Sequence, residues 1–149
     1  MVEPSYYSGS RSIEWETPKS IFQQLDSEFS FTIDVCATPE NTKCIRFFSK
    51  TDNGLIQSWK HERCFMNPPY GTEISCWVKK AYLETKDNQC ALVVGLLPAR
   101  TDTIWFHSFI YHIAEIRFLR GRVKFCINGI PQASPPFPSM IVIWSQSVK

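Results

Sequence analysis

Several things are missing from this chain of 149 residues, and each absence narrows the answer. The six cysteines, at 36, 44, 64, 76, 90 and 126, form no Cys-x-x-Cys pair and have no nearby histidine pair at ligand spacing. A structural zinc is therefore not expected. No stretch of about 18 apolar residues suggests a membrane span, and Met1 to Ser12 contains no apolar run of the kind that opens a secretory signal. These absences predict a cytosolic protein with reduced thiols, no membrane segment and no metal. Neither charge dominates: the formal net charge of +2 neither demands nor excludes a polyanionic partner. There is no internal repeat, and the Pro-rich stretch over 131–138 is too short to join two domains. Length allows one core, so residues 1–12 are expected to be a flexible tail and 13–149 a single domain.

What is present reads as strands alternating with helices. Thr17 followed by Pro18 suits a helix N-cap and first turn, with Ile21, Phe22 and Leu25 at helical spacing over about 18–28. Phe29 to Ile33 alternates apolar and polar residues, predicting a strand that delivers Asp34 at its carboxyl end. A second short strand spans Arg63 to Met66. Ile74, Trp77, Val78, Ala81 and Tyr82 make one apolar stripe behind Thr72, predicting a helix over about 72–86. Ala91 to Leu97 is continuously apolar, as in a parallel strand covered on both faces. Thr101 or Asp102 can cap a further helix, and strands are expected over 114–119, 122–127 and 140–144. The pattern predicts an α/β fold with an antiparallel close.

In an open α/β sheet, ligands gather beyond the carboxyl ends of the strands. The residues there are Asp34, Asn67-Pro68-Pro69-Tyr70, and Pro98 to Arg100. An aromatic amine is a poor nucleophile because its lone pair is delocalised into the ring. The Asn67 side-chain oxygen and a backbone carbonyl stiffened by Pro68 and Pro69 can accept both amine hydrogens and aim that pair, while Tyr70 offers a face to the ring. The plain alternative is a rigid turn in which Asn67 holds local backbone and Tyr70 caps the core.

The blocks Trp15-Glu16-Thr17-Pro18, Phe31-Thr32-Ile33-Asp34-Val35-Cys36-Ala37, Asp52-Asn53-Gly54-Leu55, Asn67-Pro68-Pro69-Tyr70-Gly71 and Leu97-Pro98-Ala99-Arg100-Thr101-Asp102 closely resemble the phage and prophage DNA N6-adenine methyltransferases of the Dam type. The likeness runs from about 15 to 145. It implies a reduced Rossmann-like fold dependent on S-adenosyl-L-methionine, its sheet mostly parallel with an antiparallel C-terminal strand, and methyl transfer to adenine in DNA by a monomer or homodimer. By this resemblance Asn67, Pro68, Pro69 and Tyr70 form the catalytic motif. Thr17 and Pro18 lie along the methionine end of the cofactor, Asp34 with Cys36 and Ala37 meets its ammonium, and Asp52 with Leu55 meets its adenine. Phe125 and Phe137 are candidates for a second aromatic wall. Arg100, with Arg120, Arg122 and Lys124 on one face of the expected strand and Arg117 nearby, would meet phosphates.

Plainer roles exist for each. Thr17-Pro18 can be only a helix cap, Asp34 a cap for the next turn, Asp52 a turn former, and the basic row an edge that deters strand pairing. DNA cytosine, RNA adenine, protein glutamine, or a non-catalytic DNA-binding module are the alternative functions; Asn67 leans towards adenine. The loop after Asp34 lacks the glycines of the usual cofactor loop, and only 32 residues separate Asp34 from Asn67. The expectation is a pared-down sheet with missing or very short helices in that stretch. The ribose-binding acid has only a weak candidate, Glu40.

Overall fold

All seven residues of one strand, Leu92–Pro98, are buried, which requires cover on both faces of the sheet. The computed structural model describes residues 15–146; the tail expected over 1–12 lies outside them. The order is α1 (Lys19–Phe29), β1 (Ile33–Asp34), β2 (Arg63–Met66), α2 (Ile74–Asp87), β3 (Leu92–Pro98), α3 (Ile104–Phe109), β4 (Glu115–Phe118), β5 (Cys126–Ile127), β6 (Ile130–Pro131) and β7 (Ser139–Ser145). Five strands form one sheet in the order β1-β2-β3-β7-β4, and β5 and β6 make a separate hairpin. β1, β2 and β3 pair in parallel, and β7 runs antiparallel to both β3 and β4. This is the mostly parallel sheet with an opposed C-terminal strand that the pattern predicted.

Period-two alternation divides the core into two layers. Cys64, Met66, Val93, Leu97, Met140, Val142 and Trp144 face α2 and α3. Phe65, Leu92, Val94, Leu96, Ile141 and Ile143 face α1 and the segment carrying Val123, Phe125 and Phe137. A fully buried Val, Leu or Ile contributes about 1.5–3 kcal/mol relative to exposure, so β3 and β7 anchor the domain. Between Asp34 and Asn67 the described helical structure is a single 3-10 turn, Gly54–Ile56. The pared-down stretch is thus what the spacing foretold.

Five local expectations need correction. The strand expected over 29–33 shrinks to Ile33–Asp34, because Phe29 belongs to α1. Ser30 ends that helix in the left-handed region, and Asp26 takes the Phe31 N–H with its side chain. Thr17 is not the N-cap of α1: Pro18 occupies that position, with no side-chain cap bond. Likewise Glu73, not Thr72, precedes α2, and Thr103, not Thr101 or Asp102, caps α3 by accepting from the Phe106 N–H. Finally, the strand expected over 122–127 is reduced to Cys126–Ile127. Val123 and Phe125 still point inward and Arg122 and Lys124 outward, but in an extended segment without ladder partners.

Candidate active site

Parallel β1, β2 and β3 end at one edge of the sheet, and the residues that follow them meet there. Asp34 pairs in register with Phe65, which places Asn67 one step beyond the same edge. The Asn67 amide is tightly specified. Its Nδ2 donates to the Trp15 carbonyl at 3.0 Å and to Thr17 Oγ1 at 3.0 Å. A carbonyl can only accept, so the NH2 end must face Trp15, and Oδ1 is left as an acceptor. Thr17, 3% exposed, spends its hydroxyl on this contact rather than on the start of α1.

Tyr70 donates its hydroxyl to the Leu96 carbonyl at 3.1 Å, and burial pushes the phenol far above its ordinary range. It stays protonated, so its chemistry is that of a ring, not a base. Phe125 and Phe137 meet that ring edge-on, at centroid distances of 5.9 and 5.4 Å. Both are buried and support Tyr70 from the core. The Arg100 guanidinium lies 5.6 Å over Phe137, bringing one basic group to the aromatic cluster.

Asp34 is 3% exposed, and its two oxygens accept from the backbone N–H groups of Cys36 and Lys43. Burial outweighs those two bonds and the Lys43 charge, so its carboxyl is pushed up to about 7. The turn-capping role is therefore present. Asp34 nonetheless lines the same small cleft as Asn67 and Thr17, with a volume of about 20 Å³, room for about one water molecule. Cys36 lines both this cleft and a neighbouring cavity of about 330 Å³.

The larger cavity brings together Ala37, Phe48, Leu55, Pro69, Glu73 and Trp77. Its shape depends on Gly54: a Cβ there would stand 2.3 Å from the Val35 carbonyl oxygen. Buried Glu84 holds the outer loop by accepting from the Trp59 N–H, and the Trp59 indole N–H donates to the Gly54 carbonyl. Asp52 is not among the residues lining this cavity. Its carboxylate accepts from the N–H and hydroxyl of Ser49 and forms the turn, while Ser49 and Asn53 line the cavity in its place. A further cavity of about 430 Å³, beside Tyr82 and Trp144, lies at the opposite end of the sheet and is lined by none of the residues that follow β1, β2 or β3.

The basic residues separate into two groups. Arg120, Arg122 and Lys124 are exposed, with Arg122 also donating to the Pro135 carbonyl. Arg117 is turned away: it pairs with Glu28 and Glu115 at 2.7 Å and lies over Phe29. Sequence reasoning overlooked the Trp15 carbonyl, a backbone group without a residue signature. It also overlooked Glu73 and Trp77; Trp77 was legible only as core. Glu40, the weak candidate for the ribose acid, does not line either cavity.

Four like-directed strands with one opposed, and Asn-Pro-Pro-Tyr at the edge beside an acid and a cavity of about 330 Å³, are consistent with the α/β methyltransferase fold and its strand-edge site. A model of the family described as DNA N-6-adenine-methyltransferase (Dam) matches residues 8–148. The DNA N-6-adenine-methyltransferase of Haemophilus phage HP1 is 30% identical over 135 residues, 87% of this chain and 77% of that protein. That of Escherichia phage T1 is 31% identical over 117 residues, 77% of this chain. The chain belongs to the Dam family of DNA N6-adenine methyltransferases. It spans 48% of the length of the T1 relative. Among the described residues, no helix is long and apolar enough to cross a membrane.

Proposed function

We propose that this chain transfers the methyl group of S-adenosyl-L-methionine to N6 of adenine in DNA. The observation that carries the reading is the Asn67 amide, whose NH2 hydrogens are engaged by Trp15 and Thr17, leaving Oδ1 to accept. Oδ1 takes one hydrogen of the adenine amine, and the Pro68 carbonyl takes the other. The nitrogen lone pair is thereby drawn out of conjugation and aimed, a matter of positioning and electrostatics. Tyr70 stacks on the extruded base, backed by Phe125 and Phe137.

The residues fit the cofactor. The 330 Å³ cavity lies within the range of small-molecule sites, and its apolar lining of Ala37, Phe48, Leu55 and Pro69 suits a nucleoside. Asp34, at the adjoining cleft beside Thr17 and Asn67, suits the amino-acid end, where its ionised form would pair with the ammonium. S-adenosyl-L-methionine supplies an electrophilic methyl on a sulfonium. With that methyl supplied, the Asn67 Oδ1 and the Pro68 carbonyl would stabilise the positive charge developing on the attacking amine, and one amine proton would leave to water. Arg100, Arg120, Arg122 and Lys124 supply phosphate contacts.

Replacing Asn67→Ala tests the reading. Methyl incorporation into duplex DNA should fall at least about a hundredfold, while S-adenosyl-L-methionine affinity stays within about threefold. Parental activity in that variant refutes the mechanism. Expression in a host without adenine methylation, followed by a search for N6-methyladenine, tests the substrate directly.

A further inference from the structure

A primary amide is nearly symmetric in outline, so its shape does not decide which end meets a substrate. Its hydrogen-bond partners do. For Asn67 those partners lie 52 and 50 residues away in sequence, at Trp15 and Thr17, both on the extended segment ahead of α1. The Trp15 carbonyl excludes Oδ1 from its side of the amide. Thr17 Oγ1 then meets the second N–H and limits rotation about the terminal side-chain bond. The segment is itself anchored. Glu16 exchanges backbone hydrogen bonds with Cys126 at 2.8 and 2.9 Å, and its carboxylate accepts from the N–H groups of Asn128 and Gly129 at 3.0 Å. Trp15 adds an edge contact to Phe125, the ring that backs Tyr70.

Resting on the Asn67 role set out above, we propose that Thr17 is a positioning residue for methyl transfer. Its hydroxyl holds the Asn67 amide with Oδ1 towards the incoming amine, and its contribution falls on turnover rather than on cofactor affinity. This differs from the role implied by resemblance, in which Thr17 lies against the cofactor. The two roles separate experimentally, because a cofactor contact moves affinity whereas an amide restraint moves kcat.

Thr17→Val keeps the shape of the side chain and removes the acceptor; Thr17→Ser keeps the acceptor. Each variant is compared with the parent by labelled methyl incorporation into duplex DNA, by calorimetric titration with S-adenosyl-L-methionine, and by the Asn67 side-chain NH2 resonances. The Val variant should lose roughly tenfold in kcat, with cofactor affinity within about threefold, and the Ser variant should recover most of the loss. The Asn67 NH2 resonances should move in the Val variant and return in the Ser variant. Unchanged kcat in the Val variant, a loss confined to cofactor affinity, or no recovery with Ser each overturns the proposal. If the parent itself does not methylate DNA, the reading of the site fails. Asn67 resonances unmoved by Thr17→Val then overturn the positioning role separately.

Discussion

Asp34→Asn, made in the ligand-free protein, isolates the energetic consequence of a buried carboxyl at the edge of the site. Its ordinary value is 3.8, and in the fold it is pushed up to about 7, first by burial. Between those values the folded protein holds a proton that the unfolded chain has released. Stability from this group is therefore complete at low pH and is lost as pH rises through the window. The slope approaches about 1.4 kcal/mol per pH unit, giving a ceiling of about 4 kcal/mol across the whole interval. Asparagine has no such proton. It can serve only one of the Cys36 and Lys43 N–H groups that Asp34 serves with two oxygens, so the variant carries a loss of roughly 1–3 kcal/mol that does not vary with pH. Urea unfolding of both proteins at pH 5 and pH 7.5 reads the difference. The parent should lose about 2–3 kcal/mol more than the variant between the two pH values. A gap between the proteins that is equal at both pH values refutes the reasoning. Cofactor binding should run the opposite way, since the ammonium requires the ionised carboxylate: S-adenosyl-L-methionine affinity should rise with pH in the parent and stay nearly flat in the variant.

Gly54→Ala should reduce unfolding free energy by about 1–3 kcal/mol and weaken cofactor binding, because the added Cβ meets the Val35 carbonyl, a backbone atom, at 2.3 Å. Urea titration and calorimetry check both effects, and parental values would remove the close approach from the account. Lys124→Gln should lower the salt dependence of DNA binding by roughly 0.9 in log–log slope, whereas Arg117→Gln, whose guanidinium is held by Glu28 and Glu115, should leave the slope unchanged. Equal slopes for the two variants would show that exposure does not identify the phosphate contacts.

Much of the sheet was legible because its strands are bounded by strong punctuation. Arg63–Met66 ends against Asn67-Pro68-Pro69, and the continuous apolar run of β3 stops at Pro98. The body of α2 was legible from its stripe, since Ile74, Trp77, Val78 and Ala81 are all buried. Its start was not: Gly71, at φ 121°, bends the chain in a way that leaves Thr72 outside the helix. The segment over 122–127 teaches a different limit. Alternation there correctly sends Val123 and Phe125 inward, yet only Cys126 and Ile127 find ladder partners. A period of two records which side chains a surface buries; whether a neighbouring strand is present to pair with it depends on the rest of the chain.

The candidate site divides along the same line. Asp34 and Asn67 to Tyr70 directly follow strands, so local pattern plus the rule about carboxyl edges was enough to single them out, whereas Cys36, Ala37 and Leu55, in the loops beyond, came only from the resemblance. Asp52 shows the turn-forming alternative that the sequence also offered: a carboxylate in a turn has its own backbone within reach, and one of its oxygens accepts from the Ser49 N–H and hydroxyl. Thr17 was harder still. Its position beside a proline made a helix cap the economical local explanation, and only the tertiary fold brings Asn67 to its hydroxyl across 50 residues of sequence. A polar side chain with two plausible partners, one near in sequence and one far, goes to the far one when a helix can begin without it. Pro18 allows that here: its carbonyl receives the Ile21 and Phe22 N–H groups and starts α1, leaving the Thr17 hydroxyl to accept from the Asn67 amide.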